Sequence, residues 1–360
     1  MRGRTELPLW WSWFVTMGPM RNRVVLVVVV VLALLAVLIG TALLPALVVF
    51  RAQAAAGPAA ARHYDRVVGT GTPASCTSRA VVDAVRLGGS IGFDCGPDPV
   101  TIRMRRTAKV VNTSERVVLD GGGLVTLSGA GKRRILYLNT CDPRQVWTTD
   151  HCNDQPTPKL VVKRLRFVRG DSTGEVAEGG GGGAIFVRGG RLRISDSEFV
   201  GNRCDGTGPD LGGAAVRVLD QYRDRPVRVT RSTFRSGTCS NGAALSSIGV
   251  SWTVVDSTFT DNRAVGRGAN PAQAGTPGGG SGGAIYLDGN EIHLVLRGTT
   301  MTGNHAREGG GAIFFVSNDR TGTLTIEDST LTDNPSDGFE TLPGIFFLGH
   351  SRSITNSTVR

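Results

Sequence analysis

The side chains best suited to chemistry in this chain are scattered and regularly placed. Asp196, Asp256 and Asp328 each stand three residues before an apolar residue (Phe199, Phe259, Leu331), and Arg231 holds the same place before Phe234. Paired carboxylates are what acid and base catalysis at a glycosidic bond requires. Their fixed place before each anchor, with an arginine between two of them, reads more simply as ion pairing between stacked units. His350 sits in Gly349-His350-Ser351 with no carboxylate or second histidine beside it, and reads as a loop residue. The run Glu178 to Gly183 is no nucleotide loop, because neither Lys-Ser/Thr nor a strand-helix unit follows it. Leu119 to Gly123, LDGGG, reads as a turn with glycines at positive φ. The calcium-binding pattern GGxGxD is absent. These residues indicate no catalytic residue, no metal and no cofactor.

What positions these residues is a repeat. A turn of small residues leads into Ala-Ile, then a loop, an alternating apolar strand, Ser-x-Phe, and usually Asn three residues after the Phe. The anchors are Phe199, Phe234, Phe259, Met301, Leu331 and Val359, with a weaker copy at Phe167. Two residues before the six strong anchors stand Ser197, Ser232, Ser257, Thr299, Ser329 and Ser357, hydroxyl residues in every copy. Further back, pairs such as Leu192 and Ile194, or Val227 and Val229, alternate with polar residues, so one face of each copy is buried and the same face in all. A period of two inside each copy excludes a helical solenoid, and a propeller blade would need four hairpin-linked strands. Three short strands per copy, turned by small residues and Asn, predict a parallel β-helix with one coil per copy and equivalent residues stacked about 4.8 Å apart. Phe199, Phe234, Phe259, Met301 and Leu331 then form an inner ladder. Asn202, Asn262, Asn304 and Asn334 stack at a bend whose left-handed backbone Asn and Gly tolerate, with Gly237 filling that place in the Phe234 copy. Insertions fall at fixed corners, the longest from Val265 to Gly283, and are expected to project from the surface.

The cysteines probe this register. Cys204 and Cys239 each follow their anchor by five residues in consecutive copies, so the stacking brings them within disulfide reach. Six cysteines allow 15 pairings, and the remaining four pair naturally as Cys76 with Cys95 and Cys141 with Cys152. With no C-x-x-C and no nearby histidine pair, structural disulfides are the reading, which suits an exported protein.

The chain has 360 residues, 50 of them Gly, and 40 basic against 30 acidic side chains. Only Lys109, Lys132, Lys159 and Lys163 are lysines, so Arg carries the positive charge. A net charge of +10 favours anionic partners. No run of five like charges occurs, and the excess reads as a solvated basic surface. Four segments are expected: a cytoplasmic amino terminus (1–23), an apolar stretch (24–50), a flexible Ala/Gly/Pro/Thr tether (51–75) and the β-helix (76–360). Val24 to Phe50 is long enough to span a bilayer, and the arginines before it place the body outside. If Met20 is the start, the same stretch reads as a long signal peptide cut near residues 52–54, and the body is secreted. A short helix over AVVDAVRL, capped by Thr77 or Ser78 and ended at Gly88-Gly89, has an apolar Val81, Val82, Val85 face and is expected to cover something hydrophobic.

GGAI at 182–185, 282–285 and 310–313, with FVGN at 199–202 and FTDN at 259–262, resembles the repeats of the polymorphic membrane proteins, right-handed parallel β-helices of the pectin-lyase-like class. CTSRAVVDAVRLGGSIGFDCG with LDGGGLVTLSG (119–129) looks like the start of many exported bacterial β-helix proteins, in which a short helix caps the first coil. The resemblance implies an all-β solenoid over about 76–360. The polymorphic proteins end in a membrane β-barrel, whereas this chain stops at Val359-Arg360, partway through a coil. Enzymes of this fold class cut acidic polysaccharides, and the polygalacturonase-like ones show Asn-Thr-Asp, Asp-Asp, Gly-His-Gly and Arg-Ile-Lys in successive coils. Only a lone Gly-His is present here. The expectation is therefore a non-enzymatic surface protein that binds glycan, cell-wall polymer or protein, touches the membrane through residues 24–50, and binds no nucleic acid. The alternative is a polysaccharide lyase or glycoside hydrolase with an unfamiliar site.

Overall fold

A computed structural model describes residues 63–175 and 179–360. The apolar stretch 24–50 lies outside the described residues. Among those described, no helix is long and apolar enough to cross a membrane.

The body is a stack of coils joined by parallel pairing. A 17-stranded sheet, an 8-stranded sheet and a 3-stranded sheet run along the stack. The register follows the repeat: Phe199 is paired with Phe167 and Phe234, Phe234 with Phe259, Phe259 with Met301, Met301 with Leu331 and Leu331 with Val359. The four phenylalanine rings stack with centroids 5.0, 4.7 and 4.9 Å apart and planes within 7° of parallel. One continuous apolar core from Val68 to Phe347 fills the inside of the stack.

The hydroxyl residue before each anchor has a definite task. Its oxygen donates to the carbonyl two residues back, as Ser232 does to Thr230 at 2.9 Å, and at Ser232, Ser257, Ser329 and Ser357 it accepts the amide N–H of the preceding coil's hydroxyl residue. Ser197 N–H reaches Ser232 Oγ at 3.2 Å, Ser232 N–H reaches Ser257 at 3.1 Å, and Thr299 N–H reaches Ser329 at 3.0 Å. The column satisfies a buried backbone donor that the sheet ladder leaves open at the corner.

Three expectations need correction. The asparagines are not the left-handed residues of the bend: positive φ falls one residue earlier, at Arg169, Gly201, Ser236, Asp261, Gly303 and Asp333. The asparagines serve as an amide ladder instead. Asn262 Nδ2 donates to Asn304 Oδ1 and Asn304 Nδ2 to Asn334 Oδ1, both at 2.8 Å, while the same groups reach Phe234 O and Phe259 O at 3.0 Å. The folded body also begins before Cys76, because Arg66–Val68 pairs in parallel with Ile91–Phe93. Finally, the insertion from Val265 to Gly283 does not project. It folds back over the 8-stranded sheet, with Asn270 donating to Asp210 at 3.0 Å and to Tyr286 Oη.

The helix Ser78–Leu87 (α1) is capped by Thr77, which accepts Ala80 N–H at 3.2 Å, and ends at Gly88 with φ 70°. Val81, Ala84 and Val85 enter the core at the amino-terminal end of the stack. The disulfides join Cys204 to Cys239, Cys76 to Cys95 and Cys141 to Cys152, with Cα separations of 4.8, 5.6 and 4.9 Å.

Candidate functional site

The expected charge column at the corner is present and partly paired. Asp120 is bound by Arg164, whose Nε donates to Oδ1 at 2.8 Å, and by Lys163 at 3.2 Å. One coil apart from one another follow Asp196 and Arg231, joined by two bonds of 2.7 and 3.1 Å. The hydrogen bond from Arg231 holds the Asp196 carboxyl below the usual carboxylate range. Arg164, Asp196, Arg231, Asp256, Gly298, Asp328 and Asn356 all have positive φ, so this column is the second left-handed corner of each coil. Glycine at 298 leaves room for a neighbour, since a Cβ there would lie 2.4 Å from Asp256 Oδ1. A parallel column runs Arg166, Glu198, Arg235, with Glu198 bridging both arginines at 2.8 and 3.1 Å. Arg297 and Glu327 pair likewise at 2.5 Å.

Against these partly paired columns one stretch stands out. The outward side chains of the 17-stranded sheet at its amino-terminal end are Arg116, Lys159 and Arg191 in one register column, and Arg193 and Arg228 in the next. Arg225 joins them from the turn before Val227. Together they line a shallow groove of about 210 Å³ whose described lining includes no acidic residue. Like charges on neighbouring strands repel, at about 0.2–1 kcal/mol per facing pair. The Arg166–Glu198–Arg235 and Arg297–Glu327 columns of this sheet answer such charges with a carboxylate one coil away; among the described residues this stretch has none. An Arg-rich row stepping at about 4.8 Å is suited to planar, bidentate recognition of carboxylates along an extended polyanion.

Sequence reasoning missed this row, although its signal was present. Counted back from the anchors Phe167, Phe199 and Phe234, the outward places eight and six residues earlier hold Lys159, Arg191, Arg193 and Arg228. The other site residues are structural: the phenylalanine ladder and the asparagines are buried. His350 is exposed and turns the chain by donating its N–H to Gly322 O at 2.7 Å. Among the described residues no three carboxylate, imidazole or thiol side chains converge to hold a metal ion.

The outer face of the 8-stranded sheet is also buried, which alternation alone did not foretell. Phe186, Arg217, Ser246, Tyr286 and Phe314 occupy successive positions of one column there, beneath the insertions. Arg217 is 2% exposed; Nη1 donates to Ser246 Oγ at 2.8 Å, and Nε has no partner among the described residues. Burial lowers its pKa to about 10 and raises that of Tyr286 well above the ordinary phenol value.

The model of the Chlamydia polymorphic membrane protein repeat matches residues 256–288 and 298–316. The match falls on two consecutive coils. Those spans run from the Phe259 and Met301 corners through the following Ala-Ile strands, so the match and the observed coils share their boundaries. No curated protein and no solved structure matches the chain.

Proposed function

We propose that the protein is a non-enzymatic, adhesin-like cell-surface β-helix that holds acidic polysaccharide along the arginine row of its outer face. The observation that carries this reading is the groove lined by Arg116, Lys159, Arg191, Arg193, Arg225 and Arg228 with no carboxylate among them. Similarity to the polymorphic membrane protein repeat supports a surface location. In this reading the coils are right-handed and pectin-lyase-like, residues 24–50 anchor the chain in the membrane or direct its secretion, and the body faces outward. The partner is an extended polymer with one carboxylate per sugar, because the cations lie on successive strands and not around a closed pocket.

Affinity electrophoresis of the protein through gels containing polygalacturonate, alginate, hyaluronate or neutral dextran tests this. Retardation by at least one acidic polymer and none by dextran is expected. Equal mobility in all gels would refute the reading, as would stronger retardation by duplex DNA. Release of new reducing or unsaturated ends from the retained polymer would replace it with the lyase or hydrolase alternative.

A further inference from the structure

A second basic feature lies at the amino-terminal end of the 8-stranded sheet. A cavity of about 640 Å³ opens there between α1, the following coil edges and the loop closed by Cys141–Cys152. Helix α1 contributes Arg86, the next turn Arg105 and Arg106, and the adjoining strand Lys109. The next coil brings Arg133 and Arg134, and the disulfide loop brings Arg144. Against these seven cations stand Glu175, 3.8 Å from Arg134, and Asp142, which holds Arg144 at 2.8 Å, leaving among the described residues an excess of five positive charges (7 − 2). The cavity shares no residue with the outer-face groove.

Its walls are built and not merely surface lysines. Arg134 is 4% exposed, its Nε and Nη2 donating to Gly182 O and Gly181 O at 3.1 and 2.8 Å, and its guanidinium lies 5.0 Å from the Phe186 ring centroid. Arg133 donates to Arg105 O while its Nε, buried, has no partner among the described residues. Tyr137 forms the floor, with Lys109 over its ring at 5.3 Å and Arg134 at 5.7 Å, so cations and not a sugar ring occupy its face. The rim is held in an unusual shape. Val146 is 67% exposed with φ 79°, a conformation β-branched residues avoid, and Asn112 fixes the loop by donating to Thr140 O, Asp142 O and Trp147 O at 3.1, 3.3 and 2.6 Å.

A cavity of this size takes a small-molecule ligand. Sugar carboxylates bring one charge per ring, too few to answer this excess in so small a space. Phosphate groups at −1.5 to −2 each would answer it with about three. We propose that the cavity binds a compact polyanion, a small molecule carrying several phosphate or sulfate groups. Arg86, Arg105, Arg106 and Lys109 clasp its outer groups, while Arg133 and Arg134 meet the innermost.

Titration calorimetry of the protein with tripolyphosphate, sucrose octasulfate and trigalacturonate decides this, with each variant's unfolding midpoint followed in parallel. One-to-one binding of tripolyphosphate or sucrose octasulfate is expected, and the tighter of the two assigns phosphate or sulfate. The exposed pair Arg86→Gln with Arg106→Gln should weaken it at least tenfold without moving the midpoint, and Arg106→Lys should weaken it less than Arg106→Gln. Arg193→Gln with Arg228→Gln should leave it unchanged, which separates this site from the polysaccharide groove. Absence of binding to both probes, binding insensitive to the Arg86 and Arg106 changes, or equally tight binding of trigalacturonate would overturn the proposal.

Discussion

Replacing Asn304 asks whether the asparagine column is an amide ladder or a bend that needs a permissive residue. Its side chain is fully buried and makes four bonds between coils. Oδ1 accepts from Asn262 N–H at 3.1 Å and Asn262 Nδ2 at 2.8 Å; Nδ2 donates to Phe259 O at 3.0 Å and Asn334 Oδ1 at 2.8 Å. Removing it strands two or three buried groups, each costing about 1–3 kcal/mol. Because the remaining groups partly re-pair, Asn304→Ala is expected to cost about 3–5 kcal/mol in total. Asn304→Gly should cost at least as much, since the left-handed residue is its neighbour Gly303 and Asn304 gains nothing from extra backbone freedom. Asn304→Asp keeps the acceptors but turns both donors into a buried charge, so it should be more destabilising at pH 7 than near pH 4. Urea unfolding followed by circular dichroism measures all three. An Asn304→Gly protein within about 0.5 kcal/mol of the unchanged chain, inside the range of an ordinary surface substitution, would refute the ladder and restore the bend.

Four further outcomes follow from the same structure. Phe234→Ala opens the middle of the ring stack and should cost about 3–5 kcal/mol by thermal unfolding, against less than about 1.5 for Phe259→Met, which lies beside Met301. Removing the Cys204–Cys239 bridge with paired Ala substitutions frees a 35-residue separation and should cost about 3–4 kcal/mol, a loss that reduction of all three bridges in the unchanged protein should exceed. Asp196 has a lowered folded-state pKa, so its contribution is present above the ordinary carboxylate value of about 3.9 and is lost as pH falls through the folded value. Asp196→Asn should therefore flatten stability against pH below about pH 4 and change little at pH 7 beyond the roughly 0–1 kcal/mol of an exposed pair. Arg217→Met should be neutral or stabilising by unfolding, because a buried guanidinium with few bonds among the described residues is exchanged for a side chain of similar length. A loss above about 2 kcal/mol would contradict this expectation.

The architecture was legible because a parallel stack repeats the same demands at each coil. Phe199, Phe234 and Phe259 share a hydrophobic slot, and Ser197, Ser232 and Ser257 share an unsatisfied N–H, so both recur at fixed distance. Two things were harder to read, because each draws on segments far apart in the chain. Phe186 and Tyr286 look half-exposed by alternation, yet the insertions cover them. The groove draws Arg116, Lys159, Arg193 and Arg228 from four coils, so no local run of charge marks it. Its trace is visible only when the outward positions are aligned as carefully as the inward ones. The cavity likewise rests on two Arg-Arg pairs, Arg105-Arg106 and Arg133-Arg134, which lie ahead of the regular repeats.

The central claim is that the outer-face arginine row holds acidic polysaccharide. The most direct test compares the affinity of the unchanged protein for the retained acidic polymer with that of Arg193→Glu/Arg228→Glu, at low and at physiological salt. Both residues are exposed and point outward, so the variant is expected to fold with an unchanged unfolding midpoint. Binding should fall by at least tenfold and lose much of its salt dependence. Unchanged affinity and unchanged salt dependence in a folded variant would contradict the account.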